Sequence, residues 1–299
     1  MRWIPTVCLL FTTSTFWGQS LEHSLLWRIV PPLEGADTSY LFGTVHSKDD
    51  RAFRFGDATL PAMAVCAVVV GELDFENAGN DMFRMLSRIR MGDGKTLEDL
   101  YTKKQWIRVS AFLTERLGGG AAMTYGTKPF FVMAMLAETE MGGERAEVLD
   151  QYLMSTAKAN GQRTLGLETV AEQMDALDAM SLKEQAAMLL DHVEHDGHPG
   201  EMDAMLDAYA AQDLDLLLAD AEKSGGMSKS MEQALLTERN TRMVHRMDSL
   251  MNMEESAFFL IGAAHLPSPA GLIAGLRAKG YGLEPVYGTK SGPPLPENR

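Results

Sequence analysis

Leu41-Phe-Gly-Thr-Val-His46 and Leu260-Ile-Gly-Ala-Ala-His265 decide how this chain is read. Each is an apolar run that ends in Gly-x-x-His. With seven His and 27 Gly in 299 residues, composition alone supplies fewer than one such motif. Two of them, each directly behind a strand-like run, form an internal echo. Two other apolar runs end in a carboxylate: Val68-Val-Val-Gly-Glu72 and Thr164-Leu-Gly-Leu-Glu168. In open α/β sheets the loops at the carboxyl ends of the strands converge on one crevice, where ligands bind. Two imidazoles and two carboxylates delivered to that edge make either a metal site or an acid/base cluster. The glycines let the backbone turn sharply and pass close to a ligand.

Outward from these motifs, residues 39–42, 65–70, 163–167, 257–261 and 283–287 are short β-rich runs separated by segments of helical period. That alternation predicts an α/β fold with a mixed or mostly parallel sheet and flanking helices. Thr96-Leu-Glu-Asp99 and Ser181-Leu-Lys-Glu184 resemble capping boxes, and Gly161 and Gly280 sit where helices should stop. Residues 169–253 read as nearly continuous helix, broken at His198-Pro-Gly200 and Ser224-Gly-Gly226. The expectation is one domain over residues 21–299 with a large helical insertion, ending in a frayed Pro-rich tail.

Apolar residues make up 45% and charged residues 23%, a globular composition. A net charge of −14 leaves no basic footprint for nucleic acid or anionic lipid. Cys8 and Cys66 are the only cysteines, too few for a disulfide framework. The 21 methionines read as pliable core filler. At the start, Arg2, the uncharged and mostly apolar residues 4–17 and Gly18-Gln-Ser20 form a signal-peptide pattern, too short for a membrane span. No second run of that kind follows. The mature chain is therefore expected to be exported, periplasmic or secreted, without a membrane span.

Leu26-Trp-Arg-Ile29, Ser39-Tyr-Leu-Phe-Gly-Thr-Val-His46 and Gly71-Glu-Leu-Asp74 resemble the TraB/PrgY/GumN family, the superfamily of Tiki-type proteases. The match continues through Gly166-Leu-Glu-Thr169, Glu172-Gln173, Glu238-Arg-Asn240 and Gly262-Ala-Ala-His265-Leu-Pro267, in the expected order. One departure is Ala264, where a Gly is frequent. The resemblance implies an α/β fold with two Gly-x-x-His halves and metal-dependent proteolysis of extracellular substrates. It places His46, Glu72 and His265 in the catalytic cluster, with Glu168, Arg239 and Asn240 as neighbours.

The helix around Glu238-Arg-Asn240 points the same way independently. Leu236, Met243, Met247 and Leu250 form its apolar stripe, and Asn240 lies on it. A polar amide there needs a hydrogen-bonding partner. By contrast, His192-Val-Glu-His195-Asp-Gly-His198 lacks the His-x-x-Glu-His and His-Glu-x-x-His spacings. Ending an acidic helix before Pro199, it reads as solvated surface. No Gly-x-Ser-x-Gly elbow or phosphate loop is present in the sequence.

The first functional expectation is an exported metal-dependent hydrolase, a peptidase acting on peptide or protein substrates. His46, Glu72 and His265 would hold a divalent Zn, Mn or Co ion. Glu168 would act as base, and Arg239 or Asn240 would stabilise the oxyanion. Two alternatives are a metal-independent His/Glu esterase-like hydrolase and a non-catalytic protein that sequesters a peptide or haem-like ligand.

Overall fold

A computed structural model describes residues 23–32, 35–73, 81–223, 229–253 and 256–289 of the chain. The signal-peptide pattern, Asp74 and the Pro-rich tail lie outside these residues. The strands are β1 (Leu26–Val30), β2 (Ser39–Thr44), β3 (Val68–Gly71), β4 (Arg163–Gly166), β5 (Ala257–Gly262) and β6 (Gly282–Pro285). They form one sheet in the order β4-β3-β5-β2-β1-β6. The four strands β4, β3, β5 and β2 run parallel, whereas β1 pairs antiparallel with both β2 and β6. This is the mixed sheet that the alternation predicts.

β1 goes beyond that prediction. Its Leu-Trp-Arg-Ile-Val sequence places Arg28 on the exposed side, where it meets Glu284 of the neighbouring strand. β3 begins at Val68 rather than Val65, because α1 (Thr59–Ala64) ends just before it and Val65 points to solvent.

Two helical segments interrupt the parallel strands. Between β3 and β4 lie α2 (Asp81–Ile89), α3 (Lys103–Leu117), α4 (Ala121–Thr124), α5 (Pro129–Met141) and α6 (Leu149–Ala159). Between β4 and β5 lie α7 (Val170–Asp178), α8 (Leu182–Glu194), α9 (Glu201–Ala211), α10 (Leu214–Lys223), α11 (Lys229–Glu232) and α12 (Glu238–Met251). The last helix, α13 (Leu272–Ala278), precedes β6. The second segment is the expected helical run, and the first is a counterpart of comparable weight.

Local chemistry sets the helix ends. Ser181 and Glu184 form the expected capping box on α8, and Thr102–Gln105 and Thr169–Glu172 form two more on α3 and α7. Each such cap contributes about 1 kcal/mol. Thr96 and Asp99 pair similarly, but over a single 3-10 turn at Glu98–Leu100. Gly161 (φ 75°) and Gly280 (φ 94°) end α6 and α13 in the left-handed conformation that glycine tolerates.

The sheet lies at the centre of the main core. Val68, Val69 and Val70 of β3 and Phe258 and Phe259 of β5 are fully buried, as parallel strands covered on both faces must be. Helices α6, α12 and α13 pack Leu153, Met243, Met247 and Leu276 against them. A second cluster joins α3, α5 and α8 through Val109, Phe112, Val132, Leu136 and Leu189. That cluster fixes the C-terminal end of α8 beside α3 and α5.

A candidate hydrolytic site at the strand edge

Because β2, β5, β3 and β4 are parallel, their carboxyl ends share one edge. His46, His265, Glu72 and Glu168 follow them in that spatial order. β5 sits between β2 and β3, with Thr44 opposite Gly262 and Gly71 opposite Leu260. Glu72 therefore leaves β3 alongside the end of β5. Its Oε1 accepts from the Gly262 N–H at 2.8 Å and lies 3.9 Å from His265 Nε2. A Cβ on Gly262 would come within 3.0 Å of Glu72 Oε1, so a glycine allows this approach.

Arg239 reaches the site from the first turn of α12, directly after a π-helical turn at Gln233–Thr237. Such turns occur frequently at functional sites. Its guanidinium donates to Glu72 Oε2 at 2.6 Å and to Glu168 Oε2 at 2.6 Å. Gln173 donates to the same two carboxylates at 3.2 and 3.3 Å. Glu168 has no exposed side-chain surface, and Arg239 binds it through both Nε and Nη2. Its geometry makes Glu168 the buried counter-charge of Arg239, leaving Glu72 as the carboxylate that borders the cavity.

Burial works against the charge of Glu72, but the Arg239 guanidinium and the Gly262 N–H outweigh it. They hold its carboxyl below the usual carboxylate range. Burial also acts on His265, lowering its pKa, so its neutral imidazole is favoured.

Both Gly-x-x-His imidazoles have their Nδ1 engaged. His265 Nδ1 lies 2.6 Å from Asn240 Oδ1, and Asn240 Nδ2 donates to the Ala270 carbonyl at 2.8 Å. That second bond fixes which end of the amide is the oxygen, so Nδ1 of His265 carries the proton and Nε2 its lone pair. His46 Nδ1 lies 2.9 Å from Asp150 Oδ2 on α6. This bond raises the His46 pKa above its ordinary value. Asp150 is a residue that sequence reasoning missed. It stands in no motif, and only the packing of α6 beside β3 and β4 brings it to His46. Its other oxygen, Oδ1, is buried with no hydrogen-bond partner among the described residues.

His46, Glu72, Gly262, Asp150 and Gln173 line one cavity of about 460 Å³. A more apolar hollow of about 810 Å³ adjoins it, sharing His46 and Gln151 and lined by Leu86, Ile89, Met123, Phe131 and Met135. The structure thus brings His265, Glu72, Arg239, Glu168 and Asn240 into one network and sets His46 on the cavity that Glu72 borders. Among the described residues, however, the set of three His, Asp or Glu ligand atoms mutually within 4.8 Å is Asp191, His195 and His198, away from this edge.

Two imidazoles and an ionised carboxylate at the strand edge of a mixed sheet make a candidate site for metal or acid/base chemistry. The chain belongs to the TraB/PrgY/gumN family, whose model matches residues 25–285. It is 25% identical to a metalloprotease TIKI homolog of Nematostella vectensis, over 88% of this chain and 67% of that protein. It is 24% identical to a TIKI homolog of Amphimedon queenslandica, over 94% of this chain and 65% of that protein. Metalloprotease TIKI1 of Xenopus tropicalis is 23% identical, over 88% of this chain and 61% of the relative. The chain thus spans about three fifths to two thirds of the length of these relatives. No solved structure matches it. Among the described residues, no helix is long and apolar enough to cross a membrane.

Proposed function

We propose that this protein is an exported metal-dependent peptidase that acts on extracytoplasmic peptide or protein substrates. One observation carries the reading. Both Gly-x-x-His imidazoles have Nδ1 bonded to an oxygen acceptor, which leaves each Nε2 to act as ligand, and that of His265 lies 3.9 Å from Glu72 Oε1. Metal-binding histidines characteristically donate their other ring N–H in this way. His265 and Glu72 would hold the ion, with His46 completing the set from the end of β2. The donor set suits Zn²⁺, Mn²⁺ or Co²⁺. An ion held there supplies Lewis-acid polarisation of a carbonyl and a more acidic water.

The rest is the work of the chain. Arg239 and the Gly262 N–H keep Glu72 ionised and oriented. Glu168 balances Arg239 so that the guanidinium is held rigidly between two carboxylates. Asn240 aims His265, and Asp150 aims His46. The apolar hollow beside His46 would take a substrate side chain, favouring peptides with a bulky apolar residue next to the scissile bond. The relatives named metalloproteases support proteolysis over the alternatives.

The test is cleavage of a peptide library by purified protein, before and after treatment with a chelator, together with metal analysis. Expected is cleavage lost with the metal, restored by Zn²⁺, Mn²⁺ or Co²⁺, and absent in His265→Gln. Cleavage that persists in metal-free protein would favour the esterase-like mechanism. Bound peptide without turnover would favour a sequestering protein.

A further inference from the structure

The turn between α8 and α9 carries chemistry that the strand-edge cavity does not use. His195 and His198 stack their rings at a centroid distance of 4.9 Å. Asp191, one helical turn before His195, faces both: its carboxylate lies 3.3 Å from His195 Nδ1 and 3.3 Å from His198 Nε2. In keeping with the solvated helix end that the sequence suggests, Asp191 and His195 keep 53% and 59% of their side-chain exposure, whereas His198 keeps 21%. Asp196, Gly197 and His198 run consecutively through the left-handed region, at φ 55°, 75° and 50°. For non-glycine residues such backbone is costly and persists where its surroundings enforce it.

A hydrogen bond selects the tautomer of His195. His195 Nδ1 lies 2.9 Å from the Asp191 carbonyl oxygen, so it carries the ring proton and leaves Nε2 as an acceptor. His198 sits between two carboxylates, with Nδ1 3.1 Å from Glu201 Oε1 and Nε2 3.3 Å from Asp191 Oδ2. His195 thus engages Nδ1 on a backbone carbonyl, as metal-bound histidines do, and one ligand atom from each of Asp191, His195 and His198 lies within 4.8 Å of the others. The 3.3 Å from His198 Nε2 to Asp191 Oδ2 also matches the edge of a tetrahedron around an ion at ~2.0–2.1 Å from each ligand. Beside the group, His192 Nε2 and Glu140 Oε1 face each other at 3.4 Å, both buried and without a hydrogen bond among the described residues.

We propose that Asp191, His195 and His198 form a second divalent-cation site, of the zinc type, that clamps the α8–α9 turn. Two imidazoles with one carboxylate favour Zn²⁺ over Ca²⁺ or Mg²⁺, which take oxygen ligands. The partial exposure leaves room for water as a fourth ligand. The clamp holds the start of α9, which bears on the first Gly-x-x-His from two sides. Its Tyr209 hydroxyl donates to the Gly43 carbonyl at 2.7 Å, and its Asp203 and Asp207 bind Arg51.

The proposal does not depend on the reading of the strand-edge cavity, and its test is direct. Zn²⁺ is titrated into the full chain against a chromophoric competitor, in wild type, His195→Gln/His198→Gln and Asp191→Asn. Circular dichroism verifies folding of each variant. Expected is the loss of one Zn²⁺ equivalent in the double variant and weakened binding in Asp191→Asn. The Zn²⁺-induced rise in thermal midpoint should shrink in both. The equivalent should survive in Glu72→Gln, which separates it from the strand-edge site. Unchanged stoichiometry and affinity in the double variant would overturn the proposal.

Discussion

Asn240 holds its amide between His265 Nδ1 and the Ala270 carbonyl, and this fixes the nitrogen that His265 turns toward Glu72. Sequence alone put Asn240 on the apolar stripe of a helix, where an unsatisfied amide would be costly, and so flagged it. It did not show which group satisfies the amide, because that group lies 25 residues away on another element. Replacing Asn240 with Leu leaves a buried N–H without its acceptor, at about 1–3 kcal/mol. The ring then gains by moving its proton to Nε2. Expected is a shift of His265 from the Nδ1–H tautomer in ¹⁵N NMR of the ring, with a cleavage rate lower by roughly 10–100-fold. An unchanged tautomer alongside a lowered rate would mean that Asn240 acts only through packing.

Among elements, the strand ends and α12 carry the site, and they were not equally legible. The four parallel strands showed themselves as apolar runs ending in His or Glu. β1 did not, because a five-residue strand with Arg28 at its centre has no such signature. The acids were legible but their partners were not: Glu168 is expected as a base, and only the structure shows that α12 lays Arg239 across it. Such a network is hard to break. Arg239→Met would strand two carboxylates, one of them wholly buried, and should cost about 3–5 kcal/mol, read as a lower denaturant midpoint. A midpoint within experimental error of wild type would show that solvent reaches Glu168. Gly262→Ala separates function from stability. Its methyl would meet the end of the Glu72 side chain rather than backbone. Expected is a midpoint near wild type with a cleavage rate at least tenfold lower; equal losses of both would place the clash in the fold.

For the whole molecule, acid sensitivity follows from how its carboxylates are used. The chain carries 41 acidic residues, and several are tied to cations that hold the fold together. Glu172 is the clearest case. It closes the capping box of α7 with Thr169 and takes both Nη groups of Arg246 from α12, at 2.9 and 2.6 Å. It thereby pins α12, and with it Arg239 and Asn240, to the segment that follows β4. The Arg246 hydrogen bonds, as the largest cause, bring the Glu172 carboxyl down to about 2. A carboxylate with a depressed folded pKa binds more protons when unfolded. Its contribution is therefore complete above the ordinary Glu value of ~4.3 and disappears as pH falls through about 2. Glu172 is partly exposed, so screening by solvent and salt reduces this contribution. Thermal midpoints of wild type and Glu172→Gln, measured from pH 7 to pH 2 at low salt, decide the matter. Expected is a less stable variant at pH 7 and a gap that narrows steadily below about pH 4.5. A gap that stays constant across this range would mean that the amide loses only the cap, and that Arg246 adds nothing to how α12 is held.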